Sequence, residues 1–513
     1  MAALLAGLLT FAPLALAAPQ APASAFRPGG PVVTTSGHIV GQASSWQPSV
    51  SEYLGIPFAQ PPVGPLRFAA PKPFNNKGHI SATKWGASCP ANVASPPNST
   101  ITYTSVAATV FGILGQAGDT FDEDCLTLNV WSAPGKGEKA KAVMIWIYGG
   151  GFNTGNSRSP AYNGARLAAE QDVVVVSVNY RVNIFGFPGA PFLPDLNLGL
   201  LDQRLGVEWV RDNIAAFGGD PKRIVLFGES AGGGSVDYHS FAFTKDPIVT
   251  GYIPESGSAA NIPGSSTNRS LSWYGASAQA GCGGAEAGAK TLECMRSKKW
   301  TDILSAIKVS GGAAGGMTQF GPTADGKVIF NDYAARRAAG NFHKAPMLVG
   351  NNNNEGGLSA LIAAGPPKTA SSPKSNARRQ AAPNLDFIGC GPHAAALARR
   401  NAGVNAWRYL YSGEWPNQDI GTPGAWHGAE IGIVFGTTEY LSHRPDTEEE
   451  KKLETKVMGA WSAFAKDPVN GLVKLGWPVY DPAKPTLIRI GGPNSSEIAF
   501  VDRAKLDAGC PAA

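Results

Sequence analysis

Runs of apolar residues alternate with amphipathic stretches through the middle of the chain. The runs at 128–131, 142–148 and 173–178 are almost entirely apolar, which predicts buried strands. The stretches at 165–171 and 203–217 follow such runs and predict helices. Strands that alternate with helices indicate an α/β fold, with a large, mostly parallel sheet, right-handed crossovers and flanking helices.

The first 34 residues differ in composition from the rest. Residues 1–18 are apolar and end in Ala15-Leu16-Ala17, small residues that suit signal peptidase, so we interpret them as a secretion signal. A membrane anchor is the alternative, but the apolar run is short for a span and Pro13 interrupts it. Residues 19–34 form a Pro/Ala-rich lead-in. The sequence therefore predicts a secreted, extracellular protein.

Three further patterns predict local structure. Apolar and polar residues alternate in the segments at 37–42 and 51–56, which favours a small antiparallel start to the fold, made of short strands. Residues 366–383 are rich in Pro, Ser and Ala and have no apolar period, which indicates a surface loop. A capping pattern from Thr447 to Glu450 begins the last clear helix. The apolar face of that helix consists of Leu453, Val457, Trp461 and Phe464.

Composition excludes some classes of protein. The 513 residues are 43% apolar and 16% charged, as in a globular protein, and the net charge of +5 comes from scattered Lys and Arg. Because no basic stripe is formed, nucleic acid is not expected as a partner. The six cysteines lack C-x-x-C spacing, which favours disulfides in an oxidising compartment over metal binding.

The cysteines are Cys89, Cys125, Cys282, Cys294, Cys390 and Cys510. Fifteen pairings are possible. Short separations favour Cys282 with Cys294 and Cys89 with Cys125, which leaves Cys390 with Cys510 by elimination. N-x-S/T sequons at Asn98, Asn268 and Asn494 are candidate glycosylation sites and fit a secreted protein.

A serine between glycines is the strongest chemical signal in the chain. An apolar run at 223–227 leads into Gly228-Glu229-Ser230-Ala231-Gly232, the G-x-S-x-G pattern of a nucleophile elbow. In such an elbow the serine lies on a strained strand-to-helix turn that requires small neighbours. Ser230 is therefore the candidate nucleophile.

A serine nucleophile needs a histidine base and an acid that orients it. In the α/β-hydrolase order, the acid and then the histidine follow the serine. His239 follows too closely and should lie on the same helix, pointing away. The later histidines are His343, His393, His427 and His443. Only His427 follows a strong strand pattern, at 404–411, through a Gly/Pro loop, so it is the candidate base.

Glu355 is the candidate acid. The short apolar strand at 345–350 breaks into four asparagines, and Glu355 follows them directly. A carboxylate at a strand exit, between turn-forming residues, suits an orienting role. Glu430 lies three residues after His427 and is either a supporting partner or a helix-surface charge; the sequence does not separate these two.

Glycines also mark a candidate oxyanion hole. Gly149, Gly150 and Gly151 follow the strand at 142–148. The N–H groups of Gly150 and Gly151, together with that of Ala231 after the nucleophile, can stabilise the oxyanion of acyl transfer.

These motifs together resemble the type-B carboxylesterase and lipase family, the cholinesterase-like α/β-hydrolases, and in particular its secreted fungal-type members. Glu-Asp-Cys-Leu-Thr-Leu-Asn at 123–129 resembles a family signature. Further matching segments, in the family order, are 53–64, 66–68, 199–204, 213–221 and the elbow. The resemblance spans roughly residues 35 to 500, and we expect 35–513 to be one α/β-hydrolase domain with cap or lid insertions.

The resemblance implies a Ser-Glu-His triad that hydrolyses carboxylic esters through an acyl-enzyme, without metal or cofactor. It also implies disulfides at Cys89–Cys125 and Cys282–Cys294, whereas Cys390 and Cys510 have no counterpart in the family pattern. Tyr148 stands where many relatives have histidine; no loss of function is expected, since the glycine N–H groups stabilise the oxyanion.

The substrate stays open between alternatives. The loop between Cys89 and Cys125 carries an apolar segment at 106–114, which is either a lid for a lipase or sterol esterase or a helix packed on the body. That loop has no Trp, so a choline site is not supported. Expected partners are small-molecule or lipid esters, with a transient lipid interface in the lipase case. A non-catalytic binding protein is disfavoured because Ser230, Glu355 and His427 are all present.

Overall fold

The computed structural model describes residues 26–92, 105–114, 116–136, 140–259, 269–310, 320–358, 390–504, 506–507 and 510. The predicted signal peptide, the segment 366–383 and the sequons at Asn98 and Asn268 lie outside these residues. The third sequon, Asn494, is exposed between two strands near the end of the chain. Within the described ranges, none of the helices combines the length and apolar composition needed to cross a bilayer.

Strands and helices alternate along the described chain. The strands are β1 (Val32–Thr34), β2 (Gly37–Val40), β3 (Gln42–Ala43), β4 (Ser51–Pro57), β5 (His79–Ser81), β6 (Thr127–Ser132), β7 (Lys141–Ile147), β8 (Val174–Val178), β9 (Gly219–Glu229), β10 (Gly251–Glu255), β11 (Met347–Asn352), β12 (Ala406–Tyr411), β13 (Leu487–Gly492) and β14 (Ser495–Val501). The helices are α1 (Ser105–Leu114), α2 (Ala165–Gln171), α3 (Asn183–Gly186), α4 (Leu198–Asn213), α5 (Ala231–Ala242), α6 (Ser270–Gln279), α7 (Thr291–Ser297), α8 (Trp300–Ser310), α9 (Tyr333–Ala338), α10 (Cys390–Asn401), α11 (Glu430–Phe435), α12 (Thr438–Ser442), α13 (Glu448–Lys466) and α14 (Gly471–Lys474).

A large sheet organises the fold. Its described strands lie in the order β14-β13-β12-β11-β10-β9-β7-β8-β6-β4-β3. Neighbours from β8 to β13 run parallel, and the pairs beyond them on both sides are antiparallel. Strands β7 and β8 are buried along their whole length, as expected when helices cover both faces of a parallel sheet. The predicted large, mostly parallel sheet is confirmed.

The predicted small antiparallel start is found only in part: β1 pairs antiparallel with β2 and β3 with β4, but these strands do not form one small sheet. Strands β1, β2 and β5 do form a separate sheet, but β2 pairs parallel with β5. Strand β4 instead joins the large sheet beside β6. Its residues are buried on both faces, so it is an interior strand rather than a half-exposed one.

Local signals at the C-terminal end and at the cysteines are confirmed. Thr447 caps α13, and Glu450 completes the reciprocal capping box. The cysteines form Cys89–Cys125, Cys282–Cys294 and Cys390–Cys510, with Cα–Cα distances of 5.1, 5.5 and 5.4 Å. The third bridge ties the start of α10 to the C-terminal end of the chain.

Candidate active site

Ser230 lies on a sharp turn between β9 and α5. Its φ of 57° and ψ of −119° are unusual for a residue with a side chain. A Cβ on Gly228 or Gly232 would overlap the main-chain oxygen of Ile147, so both positions require glycine. This is the strand–turn–helix geometry that the motif predicts.

His427 and Glu355 lie together at the carboxyl edge of the sheet. Glu355 follows β11, and His427 lies in the loop between β12 and α11. Because β11 and β12 are parallel neighbours, the loops that follow their carboxyl ends lie side by side. His427 Nδ1 is 2.6 Å from Glu355 Oε2.

The asparagine run before Glu355 joins the two loops directly. Asn352 Nδ2 donates to Trp426 O at 2.7 Å, and Ala425 N donates to Asn353 Oδ1 at 2.7 Å. Asn354 N donates to Ala425 O at 3.0 Å. These bonds hold the main chain next to His427 against the loop that carries the carboxylate.

The other ring nitrogen of His427 faces the elbow. Its Nε2 is 3.1 Å from Oε1 of Glu229, the residue before Ser230. Among the described residues, the Ser230 hydroxyl makes no hydrogen bond to His427. Such catalytic hydrogen bonds are often completed only when substrate is bound.

Two polar groups donate hydrogen bonds to the Glu355 oxygen that does not face His427. Ser256 Oγ donates to Glu355 Oε1 at 2.8 Å and lies 3.2 Å from Glu430 Oε1. Asn352 N donates to Glu355 Oε1 at 2.6 Å. Glu430 is 2% exposed, so it is a buried neighbour of the site and not a helix-surface charge.

Burial and mutual repulsion shift the acid–base behaviour of this cluster. Burial, with repulsion from Glu355, raises the pKa of Glu229 to about 7, although His427 lowers it. Burial, with repulsion from Glu229 and Glu355, raises the pKa of Glu430 to about 8. Burial lowers the pKa of His427, but Glu229 and Glu355 outweigh it and raise that pKa to about 10. A general base must be neutral, so the negative charges of Glu229 and Glu355, which raise the pKa of His427, favour the form of the ring that cannot act as a base.

The loop from Gly149 to Gly155, called the glycine loop below, lies beside Ser230. A Cβ on Gly149 would be 2.9 Å from Ser230 Cβ. Gly150 and Gly151 have φ of 108° and 61°, a left-handed backbone that favours glycine. Their N–H groups have no acceptor among the described residues. The N–H of Ala231 lies at the first turn of α5, where amide donors are not used within the helix.

Two stacked tyrosines hold the start of this loop. The rings of Tyr148 and Tyr180 lie 4.3 Å apart between centroids. Tyr148 Oη donates to Tyr180 O, and Tyr180 Oη donates to Tyr148 O, both at 2.8 Å. The tyrosine that precedes the glycines thus has a structural role.

Sequence reasoning did not find Ser256 or Asn352 as parts of the site. Ser256 directly follows β10, the strand between the elbow strand and the acid strand. Its position after a buried strand was the signal that could have found it. Within the parts of the chain that the structure describes, no three His, Cys, Asp or Glu side chains are arranged to hold a metal ion.

Comparison with known proteins identifies the class. The sequence model of the carboxylesterase family matches residues 30–386 and 367–506. Secreted lipase 5 of Gibberella zeae is 35% identical over 508 residues, which cover 92% of each chain. A chlorogenic acid esterase of Aspergillus niger is 35% identical over 451 residues, 86% of this chain and 84% of that protein. The solved structure of a thermophilic PNB esterase superposes with a TM-score of 0.73 at 26% identity, covering 92% of this chain and 97% of the other.

The chain therefore belongs to the carboxylesterase family. It has the α/β-hydrolase fold and is a carboxylic ester hydrolase.

Proposed function

We propose that the protein cleaves carboxylic esters with Ser230 as nucleophile, His427 as general base and Glu355 as orienting acid. The observation that carries this proposal is the placement of His427. Its Nδ1 is 2.6 Å from Glu355, and its Nε2 faces the residue next to Ser230. Nδ1 is thus held by the Glu355 carboxylate, while Nε2 lies at the elbow, beside the carboxylate of the residue that precedes Ser230.

In the first half-reaction, the Ser230 hydroxyl oxygen attacks the ester carbonyl carbon, and its proton moves to His427 Nε2. The negative charge on the former carbonyl oxygen is stabilised by the N–H groups of Gly150, Gly151 and Ala231. When the intermediate collapses, the bond to the alcohol oxygen breaks and His427 returns the proton to that oxygen. The acyl group remains on Ser230.

In the second half-reaction, water replaces the alcohol. His427 accepts a proton from water, whose oxygen attacks the acyl carbon, and the same N–H groups stabilise the second oxyanion. The carboxylic acid leaves with the Ser230 oxygen reprotonated. Glu355 stabilises the imidazolium in both halves.

Hydrolysis of p-nitrophenyl esters from acetyl to palmitoyl tests this proposal. We expect the wild type to be active and Ser230→Ala to lose at least about a thousandfold in kcat. Ser240→Ala is the matched control, because Ser240 lies on the same helix α5 and bonds Asp237 instead of the site. Equal activity of wild type and Ser230→Ala, or inactivity of both, would contradict the proposal.

We also propose that the protein is secreted. Three disulfides are formed in the structure, and such bonds persist in oxidising compartments. The similar protein of Gibberella zeae is named a secreted lipase. Detection of a mature N-terminus after residue 18 in culture medium would test this proposal, and an intact N-terminus on intracellular protein would contradict it.

The lipase alternative has one specific observation in its favour. Val106 and Ala107 of α1 pack with Leu358 and Ile420, and Trp426 lies against the same cluster. These neighbours belong to the loops that carry Glu355 and His427, so α1 packs against the loops of the proposed acid and base. A jump in rate when a long-chain ester forms an interface would favour the lipase; a preference for short soluble esters without a jump would favour a carboxylesterase.

A further inference from the structure

One buried side chain connects the Cys89–Cys125 disulfide loop to the glycine loop of the site. Gln116 follows α1 by two residues and is 4% exposed. Its φ is 52°, a conformation that residues other than glycine adopt rarely. Strained positions of this kind persist where surrounding contacts hold them, and they occur often at functional sites.

The Gln116 amide pairs with the main chain of Gly155 in both directions. Gly155 N donates to Gln116 Oε1 at 2.9 Å, and Gln116 Nε2 donates to Gly155 O at 3.2 Å. The same Nε2 donates to Asp119 Oδ2 at 3.0 Å. Asp119 also accepts from Ser88 Oγ at 2.6 Å and from Asn156 Nδ2 at 2.5 Å. The orientation of the amide is therefore determined on every side.

Gly155 ends the same short loop that begins at Gly149. Its φ is 108°, and a Cβ there would overlap the Gly149 carbonyl oxygen and the Tyr148 ring. Inside the loop, Asn153 N and Thr154 N donate to Gly150 O at 3.0 and 3.1 Å. Thr154, the neighbour of Gly155 in the chain, also donates from Oγ1 to Gly150 O at 3.3 Å, so Gly155 is linked to Gly150 through Thr154.

We propose that Gln116 is a positioning residue for the oxyanion hole: its paired hydrogen bonds to Gly155 hold the Gly150 and Gly151 N–H groups in the geometry that stabilises the tetrahedral intermediate. This inference rests on the function proposed above. Gln116 touches neither substrate nor nucleophile and acts through the glycine loop alone. Its contribution belongs to the transition state, so it affects kcat and leaves KM nearly unchanged.

The test compares Gln116→Met with wild type. Methionine keeps the side-chain length and volume but removes the two hydrogen bonds to Gly155 and the one to Asp119. Gln116→Ala provides a second variant without the packing. We expect kcat on p-nitrophenyl butyrate to fall about 10–100-fold, since misplacement of a catalytic group by about 1 Å costs on that order. KM should stay within about twofold.

The inhibition constant of a trifluoromethyl ketone distinguishes a role in the oxyanion hole from a purely structural role. The ketone adds to Ser230 and forms an oxyanion, so its inhibition constant should rise by the same factor by which kcat falls. Asn92→Ala is the matched control, because the Asn92 amide also ties this disulfide loop to a main-chain carbonyl, that of Leu304, away from the glycines. That variant should keep the wild-type kcat and inhibition constant.

The outcomes separate the two proposals. Wild-type kcat and inhibitor binding in Gln116→Met, beside an inactive Ser230→Ala, would overturn the role of Gln116 alone. A loss in Gln116→Met that appears equally in Asn92→Ala, or that appears only in KM, would overturn it as well. Activity that Ser230→Ala leaves intact would overturn the proposed function and this inference together.

Discussion

His427 Nδ1 lies 2.6 Å from Glu355 Oε2, although the two residues are 72 positions apart in the chain. They meet because β11 and β12 are parallel neighbours whose exits share one edge of the sheet. The contact leaves the opposite ring nitrogen turned toward the nucleophile elbow. The proposed acid–base chemistry depends on this pair.

Glu355→Gln should remove most of the activity while keeping the shape of the site. The amide keeps the size of the carboxylate but does not stabilise the imidazolium and can favour the wrong tautomer. We expect kcat/KM near pH 7 to fall about 10³–10⁴-fold, with a melting temperature close to that of wild type. A reduction below tenfold in the ester assay would show that Glu355 is not the orienting acid.

Glu229→Gln should shift the pH profile. Glu229 Oε1 lies 3.1 Å from His427 Nε2, and its negative charge raises the pKa of the imidazole. A group whose pKa is lowered becomes a neutral base at lower pH, so the acidic limb of kcat/KM should move to lower pH in this variant. Because the pKa of His427 is raised to about 10 in wild type, a profile measured from pH 5 to 11 checks this. An acidic limb that stays in place, or moves to higher pH, would contradict the assignment.

Ser256→Ala should reduce kcat with little change in KM. The variant removes the hydroxyl that donates to Glu355 Oε1 at 2.8 Å, so one anchor of the carboxylate is lost. Since Asn352 N still donates to the same oxygen, we expect a loss of about tenfold rather than inactivity. Measurement of kcat and KM on a soluble short-chain ester checks this prediction. An increase in KM with unchanged kcat would instead assign Ser256 to substrate binding.

The three disulfides should differ in their contribution to stability. In the chain-entropy description, a closed loop of 120 residues stabilises by about 5 kcal/mol and one of 12 residues by about 3 kcal/mol. Cys390→Ser with Cys510→Ser should therefore lower the free energy of unfolding more than Cys282→Ser with Cys294→Ser. Urea unfolding of both double variants measures the order, and the reverse order would show that native-state contacts outweigh loop entropy here.

Glu450→Gln should make the protein less sensitive to alkaline pH. Burial, followed by repulsion from Asp446, raises the pKa of Glu450 to about 8, above roughly 4.3 in an unfolded chain. The folded protein therefore keeps this proton where the unfolded chain has lost it, and stability declines as the pH rises from about 4 to about 8. At pH 8.5 we expect the variant to melt about 1–3 °C above wild type, and at pH 4 at the same temperature.

Glu448→Gln is the control for this measurement. Glu448 lies in the same first turn of α13, but its side chain is 82% exposed. Its replacement should leave the pH dependence of melting unchanged. The burial argument would fail if both variants behaved alike.

The sequence by itself predicted the elements and the order of the candidate site. The apolar runs that became β7 and β8, the capping box at Thr447 and the glycines around Ser230 are local signals, since each depends on neighbours within a few residues. The α/β-hydrolase order then selected His427 and Glu355 from their positions after strands. Short separation favoured two of the cysteine pairs, whereas the Cys390–Cys510 pair, left by elimination, was established by the tertiary structure.

Only the tertiary structure decided which side chains support these residues. Ser256, Asn352 and Gln116 are ordinary polar residues in the sequence, and their contacts reach across loops that follow different elements. The same holds for Glu430, whose burial separates the two roles that the sequence left open. Local patterns determine strands, turns and caps, whereas hydrogen bonds between distant loops depend on how the sheet brings its strand exits together.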